Sequence, residues 1–308
     1  MQYIWLVIKG LFIGISNIIP GVSGGTMAVS FGIYDDVIHA FTHVRKELKL
    51  SMKILLPLVA GALIGVAGFS MVIEWLLAEH TLYTAFAFVG LILGGLPILI
   101  QSFKDSLNKE ERKPGLIHIV LFVVFFLIVT WMGVADISGG GHETISLGVG
   151  PLIALFFVGL VSAAAMVIPG ISGSLLMLIM GYYYAVVYTI NGFTSNLAAF
   201  NISALIPFTV LLIAYALGMV VGIILISKII DYFFINYPGF TYASILGLVL
   251  ASPIAVVANT DALNDLSTGN AFVKVVIALV IALACYALTF AIGQTEDVTE
   301  ELPEKSRV

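Results

Sequence analysis

The chain of 308 residues is 60% hydrophobic and only 10% charged, and its mean hydropathy of +1.12 excludes a soluble domain with an ordinary polar surface. The formal net charge of -5 comes largely from the last stretch, EDVTEELPEKSRV, and so says little about partners, among which no nucleic acid is expected. A single cysteine, Cys285, allows no internal disulfide and reads as a small apolar side chain.

In chain order, long apolar runs cover about residues 3–19, 25–41, 54–77, 82–100, 116–135, 149–168, 174–190, 204–226, 240–258 and 271–292. Several reach the ~20 residues that a spanning helix needs. They lack the strict alternation of barrel strands, so the expected fold class is an all-α polytopic membrane protein. The opening MQYIWLVIKGLF has no basic flank and no small-residue cleavage site, and is expected to be retained as structure.

The first two runs are separated by NIIPGVSGGTM, and the sixth and seventh by a similar stretch, MVIPGISGSLL. Pro20 lacks a backbone donor, and Gly21, Gly24 and Gly25 lower the cost of leaving helical geometry. Aligning Pro20 with Pro169 also pairs Gly21 with Gly170, Ser23 with Ser172, Gly24 with Gly173 and Gly32 with Gly181. Two further landmarks follow in order: LLPLVAG at 55 with LIPFTVL at 205, and GLILGGLPI at 90 with GLVLASPI at 247. The chain therefore reads as a duplication, with a first repeat over 1–135, an outer loop over 136–148, a second repeat over 149–292 and a tail over 293–308.

Lysine and arginine orient the spans, because cytoplasmic loops are enriched in them. Arg45, Lys46, Lys49 and Lys53 lie before the span 54–77, and Lys104, Lys109, Arg112 and Lys113 follow 82–100. Walking on to Lys228, Lys305 and Arg307, and counting Lys9 as inside, leaves only Lys274 near the outer face. Both termini are expected in the cytoplasm. Each half holds one broken hairpin (3–41 and 149–190) and three spans, an odd number of crossings, so the halves face opposite ways. That is the inverted-repeat plan in which broken helices meet near the midplane. The run 3–19 is about 25 Å long as a helix, short of the ~30 Å core, which favours re-entrant hairpins over complete crossings.

A helix restarting at Ser23 exposes first-turn N-H groups without internal partners, an arrangement suited to an oxyanion. Ser23 and Thr26 add hydroxyls, and Ser172, Gly173 and Ser174 offer the same chemistry at the second break. Burying an anion costs several kcal/mol, whereas one helix terminus returns about 0.3–2 kcal/mol. Further charge is needed, for which Lys9 and Arg45 are candidates, as is a co-transported proton or sodium ion. Lys9 also reads as an interfacial lysine snorkelling to water. Asn17 is placed to cap the first break or touch the ligand. Asp35 has no acidic counterpart near Tyr184 and reads either as a candidate for ion coupling or as a solvated helix end beside Arg45 and Lys46, and Glu74 reads either as a functional intramembrane acid or as an interfacial one. His39 and His43 sit four apart without a further ligand at zinc spacing, so no metal site is expected.

The stretches NIIPGVSGGTMAVSFGIYD and MVIPGISGSLLMLIMGYYY resemble the bacterial polyprenyl-phosphate transporter family over essentially the whole chain. The resemblance implies transport of undecaprenyl phosphate from the outer to the inner leaflet of the cytoplasmic membrane, recycling the carrier lipid of cell-wall synthesis. It implies no catalytic residue and no cofactor, and it carries over to Asn17, Pro20, Gly21, Ser23, Gly24, Gly25, Thr26, Pro169, Gly170, Ser172 and Gly173. The expected partners are a lipid phosphate and the bilayer, with a homodimer as a candidate assembly. Undecaprenyl-pyrophosphate phosphatases share inverted hairpins and a Pro-Gly-x-Ser motif, but theirs continues with arginine and is accompanied by a glutamate-rich motif. Here Ser23 is followed by Gly24 and no such glutamates flank either break, so an enzyme is not expected. Transport of another anion or small solute stays open at this stage.

Overall fold

Proline, glycine and apolar run length together set where helices begin and end in this chain. The computed structural model describes residues 2–17, 19, 22–111, 113–135, 144–267 and 270–294. Pro20, Gly21, most of the expected outer loop and nearly all of the tail lie outside the described residues. Among those described, every regular element is helical.

In chain order these are α1 (Gln2–Ser16), α2 (Gly24–Ser30), α3 (Tyr34–His43), α4 (Leu48–Glu79), α5 (Thr81–Gly94), α6 (Leu96–Lys109) and α7 (Leu116–Val134). There follow α8 (Val149–Val167), α9 (Gly173–Ile179), α10 (Tyr183–Ala198), α11 (Ile202–Asn236), α12 (Pro238–Asn259), a 3-10 turn (Ala262–Ser267) and α13 (Ala271–Gly293). Seven helices are long and apolar enough to cross a membrane when α5 and α6 count as one, or eight if the bent pair α9 and α10 counts as another. The protein is thus a polytopic, all-helical membrane protein.

Two expectations change. The runs 25–41 and 174–190 each read as one helix, but each is cut in two. Gly32 takes φ +70 and Gly181 takes φ +76, a left-handed geometry that glycine adopts without a Cβ penalty, and α9 and α10 meet at 113°. The expected spans 54–77 and 204–226 extend to the 32 residues of α4 and the 35 of α11. Their polar ends continue the helix beyond the apolar window from which the spans were read.

The described chain divides into two compact units, one of 1–135, 168–171 and 228–308, the other of 136–167 and 172–227. In the first, α1 and α4 approach backbone to backbone. A Cβ added at Gly10 or Gly14 would meet the carbonyl oxygen of Leu58 or Ala62, and one at Gly61 or Gly65 would meet that of Val7 or Leu11. Small residues four apart allow this approach, which van der Waals packing stabilises where lipid removes the hydrophobic drive.

In the second unit the pattern returns between α8 and α11: Gly159 faces the carbonyl of Tyr215, and Gly218 and Gly222 face those of Phe156 and Leu160. Leu58 and Tyr215 are offset by 157 residues, against 150 for Pro57 and Pro207. The packing therefore separates by two helical turns the two prolines that sequence alone aligns.

The later helices of the first unit are exchanged between the two stretches of chain. α5 packs on α13, with Gly90 against the Ala282 carbonyl, and α12 packs on α7, with Gly247 against the Phe122 carbonyl. Val129, Leu248, Ala251 and Ala255 form a buried cluster on the α7–α12 side, and Ile168 and Ile171 pack against it. The backbone of the second break is thereby anchored in the first unit.

Candidate functional site

At the first break, α1 ends at Ser16 and α2 begins at Gly24. Ser23 is the N-cap, extended at φ -110 and ψ 137, and its Oγ accepts the Gly25 N-H at 3.2 Å. One amide of the first turn is therefore satisfied by the chain itself. Asn17 donates from Nδ2 to the Ile13 carbonyl at 2.8 Å, closing the end of α1. Its amide also lies beside Gly24, where an added Cβ would come within 3.0 Å of Nδ2 and 3.3 Å of Oδ1. Asn17 thus caps the end of α1 and stands beside the start of α2. Gly25 and Thr26 are buried, as are the remaining residues of α2.

The Gly170 N-H of the second break donates to Thr26 Oγ1 at 2.6 Å. Gly170 has φ +78, and a Cβ there would stand 2.8 Å from the Leu248 carbonyl and 3.1 Å from Ser252 Oγ. The left-handed backbone and the close packing admit only glycine, and they aim its amide at Thr26. Residues 144 apart in sequence are joined by a buried acceptor, a pairing that the repeat alone did not reveal. Pro169 is buried beside Gly170.

Ser172, Gly173 and Ser174 belong to the other compact unit. Ser172 caps α9, with Oγ accepting from the Leu175 N-H at 3.4 Å, and it shares a 2.9 Å hydrogen bond with the exposed Ser174 hydroxyl. Gly173 is buried against Met166 and the Ser162 carbonyl.

The charged candidates separate. Lys9 is fully buried in α1, which overturns its reading as an interfacial lysine reaching for water. It lies on the α1 face of Phe12 and Ser16, and Phe12 packs on Phe31 at the end of α2 with ring centroids 5.6 Å apart. Arg45 and Glu74 are both exposed. Asp35 is half-buried in the first turn of α3, a helix outside the candidate spans. Burial pushes its carboxyl up to about 6, against the lowering effect of the Asp35 and Asp36 backbone N-H groups. Among the described residues no group of three or more His, Cys, Asp or Glu is arranged to hold a metal ion.

The family model described as VCA0040-like, undecaprenyl phosphate translocase-like, matches residues 13–271. The chain is 30% identical over 259 residues to the polyprenyl-phosphate transporter of Staphylococcus aureus, covering 83% of this chain and 87% of that one. It is 24% identical over 266 residues to the polyprenyl-phosphate transporter of Vibrio cholerae, covering 82% and 77%. These relatives are named as transporters and not as enzymes. No solved structure matches.

Proposed function

We propose that this chain, which belongs to the VCA0040-like, undecaprenyl phosphate translocase-like family, moves undecaprenyl phosphate from the outer to the inner leaflet of the bacterial cytoplasmic membrane. The observation that carries the reading is the Gly170 N-H to Thr26 Oγ1 bond, which joins the two motifs into one structure. A lipid phosphate needs an anion site for its head only, since its tail stays in the bilayer. In this reading the head is held by first-turn amides of α2, the hydroxyls of Ser23 and Thr26 and the Asn17 amide. The buried ammonium of Lys9 offsets part of the charge.

The two halves are proposed as inverted repeats with re-entrant hairpins and cytoplasmic termini. Reciprocal pairing of α5 with α13 and of α7 with α12 supports this, because exchanging equivalent elements is what a two-fold axis generates. With an odd number of crossings per half, that axis lies in the membrane plane. Alternate exposure of one midplane site to each leaflet would then return the carrier lipid for cell-wall synthesis.

The test is purified protein in liposomes with labelled undecaprenyl phosphate in one leaflet. Leaflet exchange accelerated over protein-free vesicles, without release of phosphate from undecaprenyl pyrophosphate, is expected. Phosphate release would assign a phosphatase instead, and neither result would assign another anion.

A further inference from the structure

The phosphate-binding reading leaves one set of titratable side chains without a role. Asp35, His39 and His43 are spaced four apart, so they share one face of α3. At the start of that face, Asp35 lines a cavity of about 30 Å³ together with Gly32, Tyr34, Ser102, Phe234 and Tyr242. This is room for a water molecule or two. The rings of Tyr34, Phe234 and Tyr242 follow one another at 6.1 and 5.2 Å between centroids. Further along, His39 and His43 stack at 4.1 Å and 15°. The chain then passes Arg45 and Lys46, both exposed. Thus α3 runs from a small cavity of mixed polar and apolar lining to the protein surface with an acid or an imidazole on each turn of one face, the two side-chain types that exchange protons near neutral pH.

Groups of both signs surround this line, because α4, which packs on α3, carries Lys49 and Lys53. Tyr34 and Asp36 adjoin Asp35 on α3, and Tyr242 of α12 feels Asp35, Asp36 and Asp105 of α6. Glu47 and the buried Asp231 of α11 act on His39. Burial and the neighbouring His43 make His39 harder to protonate than a free imidazole, against the pull of Glu47 and Asp231. The hairpin backbone does not require these residues, because 149 positions on the same places hold Tyr184, Tyr188 and Gly192.

We propose that α3 is a proton path and that Asp35 is the carrier whose protonation is coupled to movement of the lipid phosphate. The coupling rests on the transport reading above. A proton that reaches the cavity as hydronium turns the Asp35 carboxylate into the neutral acid and leaves a water molecule behind. It returns to solvent through His39 and His43 at the Arg45 end, and no covalent bond of the lipid changes. A carboxyl raised to about 6 gains and loses its proton within the cellular pH range, which an ordinary aspartate does not.

Two measurements test the inference. In proteoliposomes, wild-type exchange should change several-fold between about pH 5 and about pH 8 and respond to a pH gradient, while Asp35→Asn loses both responses. Replacing His39 and His43 by glutamine should keep the pH response but slow proton entry, read with a trapped pH dye, by about tenfold or more. An Asp35→Asn variant with the wild-type profile, or a sodium gradient that drives exchange at constant pH, would overturn the proton assignment.

Infrared difference spectra in detergent give a readout independent of transport. The protonated-carboxyl band should disappear with a midpoint near 6 in the wild type and be absent from Asp35→Asn. No titrating band would overturn the inference even if lipid moves. A titrating band in a protein that moves no lipid phosphate would overturn the proposed substrate and leave the proton site standing.

Discussion

The two breaks share a backbone plan and differ in chemistry. α2 and α9 are both seven residues long, both are capped by a serine, and both are followed by a left-handed glycine. Yet α2 is buried from Gly25 to Ser30, whereas in α9 only Gly173 is buried. Thr26, Asp35 and His39 stand where the second copy has Leu175, Tyr184 and Tyr188. The two breaks thus share turns that glycine and serine supply cheaply and differ in their polar side chains. The carboxyl of Asp35 and the imidazole of His39 belong to the first break, and tyrosines stand in their places in the second.

The comparison is broken most severely at Gly170. Valine there meets a left-handed backbone and the Leu248 carbonyl at 2.8 Å. A loss of about 3 kcal/mol or more is expected, visible as a lower unfolding temperature in detergent and no leaflet exchange. Next comes Thr26→Val, which leaves the Gly170 amide without its acceptor and should cost about 1–3 kcal/mol. Thr26→Ser should restore both stability and exchange, and equal behaviour of the two variants would show that the hydroxyl is idle.

Alanine at the two helix starts sharpens the contrast. At Gly173 an added Cβ lies 2.6 Å from the Ser162 backbone carbonyl, whereas at Gly24 the nearest atom is the movable Asn17 amide at 3.0 Å. Gly173→Ala should cost about 1–2 kcal/mol and Gly24→Ala less than about 1 kcal/mol, compared by thermal unfolding. The reverse order would mean that the first break is the more tightly packed.

The smallest expected effect is electrostatic. Because the folded-state value of Asp35 is raised from 3.8 to about 6, folding disfavours its charged form. Stability attributable to this group is full below about pH 4, falls as the pH rises towards 6, and stays lost above it. Asp35→Asn should therefore raise stability by about 1 kcal/mol at about pH 7 and leave it unchanged at about pH 3. A pH-independent effect of Asp35→Asn would remove the charge argument.

Much of this protein was legible in its residues, because the signals are local. Run length and composition marked the spans, since a helix is the available way to bury backbone in lipid. Proline, glycine and serine marked both breaks, where a missing N-H and a missing Cβ change the backbone directly. The aligned pair Gly32 and Gly181 was already a signal for the second cut in each returning segment, but glycine inside an apolar run is also common in ordinary spanning helices.

Other features needed the tertiary structure. The burial of Lys9, the exchange of α5 and α12 onto α13 and α7, the two-turn offset between Pro57 and Pro207, and the Thr26–Gly170 bond all join segments distant in sequence. Between apolar helices in lipid, partners are chosen by how closely small residues let backbones approach. That complementarity belongs to two surfaces at once, so neither stretch of sequence carries it alone. Residue chemistry by itself determined a helical membrane protein broken twice in the same way, and packing decided that the two breaks meet at a single hydroxyl.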